Sequence, residues 1–309
     1  MSRTTIRSVI VEPLNIPMLE PFTISTGTTS EASNVLITIT LADGSVGYGE
    51  CAPFTPSTGE TQATALAAAR ECAPLIQGRD AAHWRDISKF LHSLYFSQMT
   101  VIAGMEMALL DALTRSYGIP LYVFFGGAGS SVETDISIPM VTPEHGYELA
   151  KAIVARGVTT IKVKVGGDIR EDIARVEAIR EAAPGVGLTL DANQGYTPGE
   201  ALLCLEALDD RDIRPLMLEQ PVHKDDYEGL RYVTQHTHVP IAADESVSNA
   251  AQAARLINMG AVNVINIKLM KSGFVEGLDI AALCRATHTQ LMVGAMMESR
   301  LAISAAAPF

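Results

Sequence analysis

Apolar and polar positions along the second half of this chain recur in a fixed rhythm. Short apolar runs of strand length alternate with longer stretches in which apolar residues return every three or four positions. The first pattern predicts buried strands and the second predicts amphipathic helices. DISIPMV is the first such strand, and HGYELAKAIVARG a helix that stops at Gly157. TTIKVKVG, GLTLDANQG, PLMLEQP, IAADES, NVINIKL and QLMVGAMME continue the series, which makes seven parallel-strand candidates. Strands alternating with helices imply a parallel sheet. A closed barrel of this kind needs eight strands. The fold class expected is therefore α/β: a (β/α)7β barrel whose last strand is absent from this sequence. Missing residues are the preferred explanation, because an open parallel edge exposes unpaired backbone.

The first half reads differently. IRSVIVEPL and NVLITITL alternate as strands, and Asp43-Gly44 marks a hairpin between ITITL and SVGYGE. The polar stretch TISTGTTSEASN suits a mobile surface loop. TQATALAAARECAPLI and VIAGMEMALLDALTRSYG carry helical spacing, and the second ends at Gly118-Ile119-Pro120. Met99, Met105 and Met107 are expected to fill a core. LYVFFGGAG leads into a linker, so residues 1–130 are expected to form an α+β cap and residues 131–309 the barrel.

Five successive apolar runs end in a charge: Lys162 and Lys164, then Asp191, Glu219, Asp244 and Lys268. From Lys164 onward the steps are 27, 28, 25 and 24 residues, about one strand, one helix and two loops each. A charge at the end of a buried strand is unfavourable unless it is paired or holds a metal. Such a row therefore predicts one site at one rim of the barrel. Three acceptor-only carboxylates gathered together call for a cation. Oxygen-only ligands favour Mg²⁺, one per subunit, with Mn²⁺ second. The plainer alternative is that each carboxylate caps a helix or pairs with an arginine.

Strand side chains alternate, so Lys162 and Lys164 point to one side while Ile161, Val163 and Val165 point to the other. Mutual repulsion and a nearby divalent cation would lower a lysine pKa, as a base near neutral pH requires. Lys268 arrives from the opposite side. Two lysines flanking a metal offer proton transfer on both faces of one bound carbon, with the metal stabilising an enediolate. The plainer alternative for each lysine is an ion pair with one of the carboxylates.

The bulk numbers narrow the partners. Hydrophobic residues are 48% of 309, and the net charge is −12. The first fits a sizeable core, and the second disfavours nucleic acid and anionic membranes. No apolar run approaches the roughly 20 residues of a membrane span. Cys51, Cys72, Cys204 and Cys284 are scattered, with no paired motif. With no signal peptide legible, a cytoplasmic protein is expected.

KVKVG, LDANQG, LEQPVHKDD, AADES, NIKLMKSG and VGAMMES together resemble the enolase superfamily, in its muconate-lactonising-enzyme subgroup. GYGECAPF and TGE resemble that family's capping domain, so the likeness runs over nearly the whole chain. The resemblance implies Asp191, Glu219 and Asp244 as metal ligands and Lys164 with Lys268 as the acid/base pair. Lys162 would sit beside the substrate carboxylate. Asn193, Gln220, Glu245 and Ser246 would support the metal. Ser137, Met296 and Glu298 fall where members touch substrate.

Within the subgroup the wording is most similar to dipeptide epimerases of the Ala-Glu type. That implies a dipeptide substrate, inversion at the α-carbon of its C-terminal residue, and a homo-oligomer. A muconate-type cycloisomerase, an o-succinylbenzoate synthase or an N-acylamino-acid racemase is the alternative. Members that accept Glu carry an arginine in an N-terminal loop. Here that stretch is ISTGTTS, with Gly27 or a neighbour in its place, which implies a side chain that is not acidic. Lys271-Ser272-Gly273-Phe274 is an incomplete match to the family's Lys-x-Gly-Gly.

Overall fold

The structure, a computed structural model, describes residues 2–24, 27–127 and 131–309, and of residues 19–29 the backbone only. Strands β1 (Ile6–Ile24), β2 (Gly27–Leu41) and β3 (Val46–Cys51) form an antiparallel sheet in that order. Val35, Ile37, Ile39 and Leu41 are fully buried on one face of β2, as a period of two requires. The hairpin at Asp43-Gly44 is present: Ser45 N–H donates to Asp43 Oδ1 at 2.9 Å, and Gly44 has φ +88°.

The stretch expected to be a loop differs. β1 and β2 stay paired as far as Ile24 opposite Gly27. The β-branched threonines between them suit a ladder as well as a loop, and composition alone read them as polar spacer. The side chains of Gly27 and its neighbours, on which the expectation about substrate charge turned, lie outside the described residues.

Helices α1 (Thr55–Thr58), α2 (Gln62–Ile76), α3 (Trp84–Leu94), α4 (Met99–Tyr117) and α5 (Leu121–Phe124) follow. Thr61 caps α2 by accepting from Thr64 N–H, and α4 ends at Gly118 in the left-handed conformation. Helix α4 lies directly on β3. A Cβ at Gly49 would sit 1.9 Å from Gly104 O, so only glycine permits this approach. Met105 and Met107 are buried in the cores beneath, and Met99 packs at the edge.

The linker expected near residue 130 coincides with residues outside the described set. After it the chain alternates: β4 (Ile136–Ile138), α6 (Pro143–Val154), β5 (Thr160–Lys164), α7 (Ile169–Ala182), β6 (Gly187–Asp191), α8 (Pro198–Asp209), β7 (Met217–Glu219), α9 (Tyr227–Gln235), β8 (Ile241–Ala243), α10 (Ala250–Met259), β9 (Val264–Ile267), α11 (Leu269–Ser272), α12 (Phe274–Thr287), β10 (Gln290–Val293) and α13 (Arg300–Ala306). The seven strands form one parallel sheet in sequence order, with β4 and β10 at its two ends.

Several loops deliver the chain to its helix through a capping side chain: Thr142, Asp168, Thr197, Asp226, Asn249 and Ser299 each accept from a first-turn amide. Ile161 and Val163 of β5 and Leu188 and Leu190 of β6 are fully buried in one cluster with Val176 and Ile179 of α7. Each contributes about 1.5–3 kcal/mol by leaving water. The alternate residues, Lys162, Lys164, Thr189 and Asp191, share the other face. Among the described residues no helix is long and apolar enough to cross a membrane.

Candidate active site

The period-two alternation that buries Ile161 and Val163 turns Lys162 and Lys164 to the concave side of the sheet. Adjacent registers bring the next charges alongside, with Lys164 opposite Asp191 and Asp191 opposite Glu219. Asp244 follows β8 and Lys268 follows β9. Asp191, Glu219 and Asp244 are at most 1% exposed, and Lys162, Lys164 and Lys268 are 8–9% exposed. The charged strand ends thus form one cluster, as their spacing predicted.

Within it every lysine meets a carboxylate. Lys162 Nζ lies 2.7 Å from Glu219 Oε2 and 3.0 Å from Asp191 Oδ2. Lys164 Nζ lies 2.7 Å from both Asp191 Oδ2 and Asn193 Oδ1. Lys268 donates to Asp244 Oδ2. The ion-pair alternative for the lysines therefore describes these contacts. Among the described residues no three carboxylate, imidazole or thiolate side chains converge around one point; the ammonium groups lie against the carboxylates instead.

The charge balance among the protein's own groups favours the charged form of two of these lysines. Burial disfavours the charge on Lys162, but Asp191 and Glu219 outweigh it and hold its pKa well above the usual value rather than below. Lys268 is raised in the same way by Asp244. Asp191 and Asp244 are held low by their lysines in spite of burial. Glu219 is raised, by burial and by the neighbouring Asp191. That last direction is what crowding carboxylates together produces.

Around the charges lies a polar scaffold. Gln220 Oε1 accepts from the backbone N–H of Asp244 and Ser246, and its amide donates to Ser246 Oγ at 2.8 Å. Asn193 Nδ2 donates to Glu245 Oε1 at 3.3 Å. Asn193, Gln194 and Gln220 all have positive φ, a strained conformation that collects at functional sites. Glu245 is pushed up to about 7 by burial beside Asp244, and its Oε2 is buried with no partner among the described residues.

Lys162, Lys164, Lys268, Ser137, Met296 and Glu298 line a single cavity of about 1020 Å³. Lys164 and Lys268 reach it from strands separated by three others. Phe54 and Ser57 close it from the cap. The three carboxylates are not among its lining residues. Glu298 is pushed up to about 7, chiefly by burial.

Four contributors lie outside the site residues expected from the sequence. Asn266, two residues before Lys268 and so on the same face, donates to Glu219 Oε1 at 2.8 Å. Lys271, one helical turn after Lys268, is buried and donates to Asp244 Oδ1 at 2.6 Å. A Cβ at Gly294 would lie 2.7 Å from the Asn266 amide and 2.8 Å from Lys268 Cε. Glu50, fully buried at the end of β3, accepts from Ser299 N–H at 2.8 Å and Ser299 Oγ at 2.6 Å. It thereby fixes the loop that bears Met296 and Glu298. Period-two alternation could have found Asn266; Glu50 gives no local signal.

Comparison with known proteins follows this geometry closely. Residues 6–126 match the family described as "Mandelate racemase / muconate lactonizing enzyme, N-terminal domain", and residues 146–309 match "Enolase C-terminal domain-like". The chain is 42% identical over 302 residues to the "Aromatic dipeptide epimerase" of Herpetosiphon aurantiacus, covering 97% of this chain and 85% of that one. It is 43% identical to the "L-Ala-D/L-amino acid epimerase" of Populus trichocarpa, covering 94% and 70%. The crystal structure of a dipeptide epimerase from Enterococcus faecalis V583, complexed with Mg and the dipeptide L-Leu-L-Tyr, superposes with a TM-score of 0.95 at 37% identity, covering 98% and 86%.

Proposed function

The chain belongs to the enolase superfamily, in the family of mandelate racemase and muconate lactonizing enzyme, and on that premise we propose that it is a dipeptide epimerase. It would invert the α-carbon of the C-terminal residue of L-Ala-Xaa dipeptides by a 1,1-proton transfer between Lys164 and Lys268. The observation that carries this reading is the pair of lysines entering one cavity from opposite sides of a carboxylate cluster.

The donor set fits a hard divalent cation. Its oxygens are carboxylates, all three groups are buried, and Glu245 Oε2 and Asn266 Oδ1 are buried without partners among the described residues. Asp191, Glu219 and Asp244 would hold Mg²⁺, with Mn²⁺ as a substitute. Bound there, it would orient the substrate carboxylate and offset the charge that gathers as the α-proton leaves.

The chain's own groups do the rest. One lysine takes the α-hydrogen on Nζ as the other returns a proton to the opposite face, and reversing the roles serves the other epimer. A lysine must be neutral to accept a proton. Lys268 approaches that state as it gives up Asp244, one of the carboxylates that raise its pKa. Lys162 lies next to Lys164 on the same face and helps place the substrate carboxylate. Ser137, Met296 and Glu298 form the wall that meets the remainder of the dipeptide.

Xaa is proposed to be apolar or aromatic rather than acidic. Residues 24–30 contain no basic side chain, and Phe54, Met296 and Met297 line the cavity. The Herpetosiphon aurantiacus relative named for aromatic dipeptides supports that choice. The test is incubation of an L-Ala-L-Xaa library in D₂O with Mg²⁺, read by mass spectrometry. One deuterium in dipeptides with apolar or aromatic Xaa is expected. Label in L-Ala-L-Glu alone would overturn the specificity. Label in no dipeptide, with turnover of N-acyl amino acids or a muconate, would replace the function by its alternative.

A further inference from the structure

Residues of a neighbouring helix and loop grip the backbone at Lys164, whereas the carbonyl of Lys268 is met from its own following turn, by Ser272 Oγ and the amides of Lys271 and Ser272. Pairing between β4 and β5 ends with Ile138 opposite Val163. Just past that point the Arg175 guanidinium of α7 bridges the two chains. Its Nη1 donates to Val141 O and its Nη2 to Lys164 O, both at 3.1 Å. Nη2 also bonds Asp172 Oδ1. Asp172 Oδ2 in turn accepts from Gly166 N–H and Gly167 N–H, each at 2.9 Å, and from Tyr196 O–H at 2.7 Å.

The peptide chain is therefore held at the carbonyl of Lys164 and again two and three residues later. Arg175, Asp172 and Tyr196 are 3%, 1% and 4% exposed. A buried ion pair is weak as a source of stability, and this one leaves Arg175 Nε buried without a partner among the described residues. The guanidinium sits where the two carbonyls are, not where all its own donors would be satisfied. The contacts of Lys268 and Asp244 involve Lys271 and Asn266, and no bond from this network reaches them.

Resting on the epimerase reading, we propose that Arg175, braced by Asp172 and Tyr196, is a positioning residue for Lys164 alone. Loosening it should slow the proton transfers that depend on Lys164 and spare the removal of hydrogen by Lys268.

The test compares initial rates of α-hydrogen exchange in D₂O from an L-Ala-L-Xaa dipeptide and its L-Ala-D-Xaa epimer. Lys164→Ala identifies which epimer gives up its hydrogen to Lys164. Arg175→Lys keeps a positive charge against Asp172 but lacks the planar fork that spans two carbonyls. It should slow exchange from that epimer about 10- to 100-fold, the scale of a misplacement near 1 Å. Exchange from the other epimer should stay within about threefold. Arg175→Met should do the same more strongly, and Arg175→Lys serves where it does not fold. Equal slowing of both epimers, the mark of a merely structural role, would overturn the proposal, as would no slowing of either. Exchange of neither epimer by the unaltered protein would sink the epimerase reading and this inference with it.

Discussion

Replacing Glu106 by alanine strips one buried carboxylate from the joint between cap and sheet. Glu106 of α4 accepts from Phe274 N–H at 2.6 Å and Val275 N–H at 3.0 Å, the first amides of α12. It also accepts from Ser88 Oγ of α3, and His92 Nε2 stands 3.4 Å away. The residue is fully buried. Alanine leaves two helix-end amides and a hydroxyl without an acceptor in a dry interface. At about 1–3 kcal/mol for each stranded group, with Ser88 free to turn elsewhere, the loss should be about 2–6 kcal/mol. Glutamine keeps the shape and one acceptor oxygen but not the charge, and should lose about 1–2 kcal/mol. Urea unfolding followed by the fluorescence of Trp84, the chain's single tryptophan, reports on this joint. Its ring lies 6.1 Å from Phe125, which touches Phe274. The midpoint should fall in the order wild type, Glu106→Gln, Glu106→Ala, with an unchanged slope. Equal midpoints for the two variants, or a loss under about 1 kcal/mol for alanine, would refute the reasoning.

The Glu106 carboxylate 3.4 Å away raises the pKa of His92 against the pull of burial. The stability His92 contributes is therefore fully present below its unfolded pKa of about 6.5 and lost as pH rises through the higher folded value. His92→Gln should thus destabilise more at pH 6 than at pH 9, and a loss independent of pH would contradict this. Gly294→Ala pushes a methyl against Lys268 Cε and Asn266. Turnover should drop about 10- to 100-fold for a stability loss of about 1–2 kcal/mol, and unchanged turnover would show that the wall yields freely. Mg²⁺ should raise the unfolding temperature and a chelator should reverse it, while Asp244→Asn should abolish the shift. A wild-type protein indifferent to Mg²⁺ would remove the metal from the proposal.

The parallel strands and the charged cluster were legible because both rest on short-range rules. Alternation at period two places Lys162 and Lys164 on one face, and a buried charge at a strand end announces a partner. Where the proton sits in an ion pair is not local information. The raised pKa of Lys162 depends on Asp191 and Glu219, 29 and 57 residues away in sequence. The spacing of Asp172 and Arg175, three residues apart on α7, carries no sign of burial, since an exposed helix face bears such pairs as well. Only the packing of α7 over the end of β5 turns them inward. The hairpin beyond Phe22 was misread because threonine and serine serve a ladder edge as readily as a loop.

The carboxylates of the cap impose an order on chain synthesis. Glu50 and Glu106 are made early, yet the amides they serve lie 249 and 168 residues later, at Ser299 and Phe274. Until those residues leave the ribosome, both carboxylates lack these partners, so the helical layer over β3 cannot seal before they arrive. Loop closure over such separations is slow. The cap is thus synthesised well before the amides that complete it. Pulse-labelled amide exchange during refolding should find the first turns of α12 and α13 gaining protection together with α4, not after the sheet has formed without it.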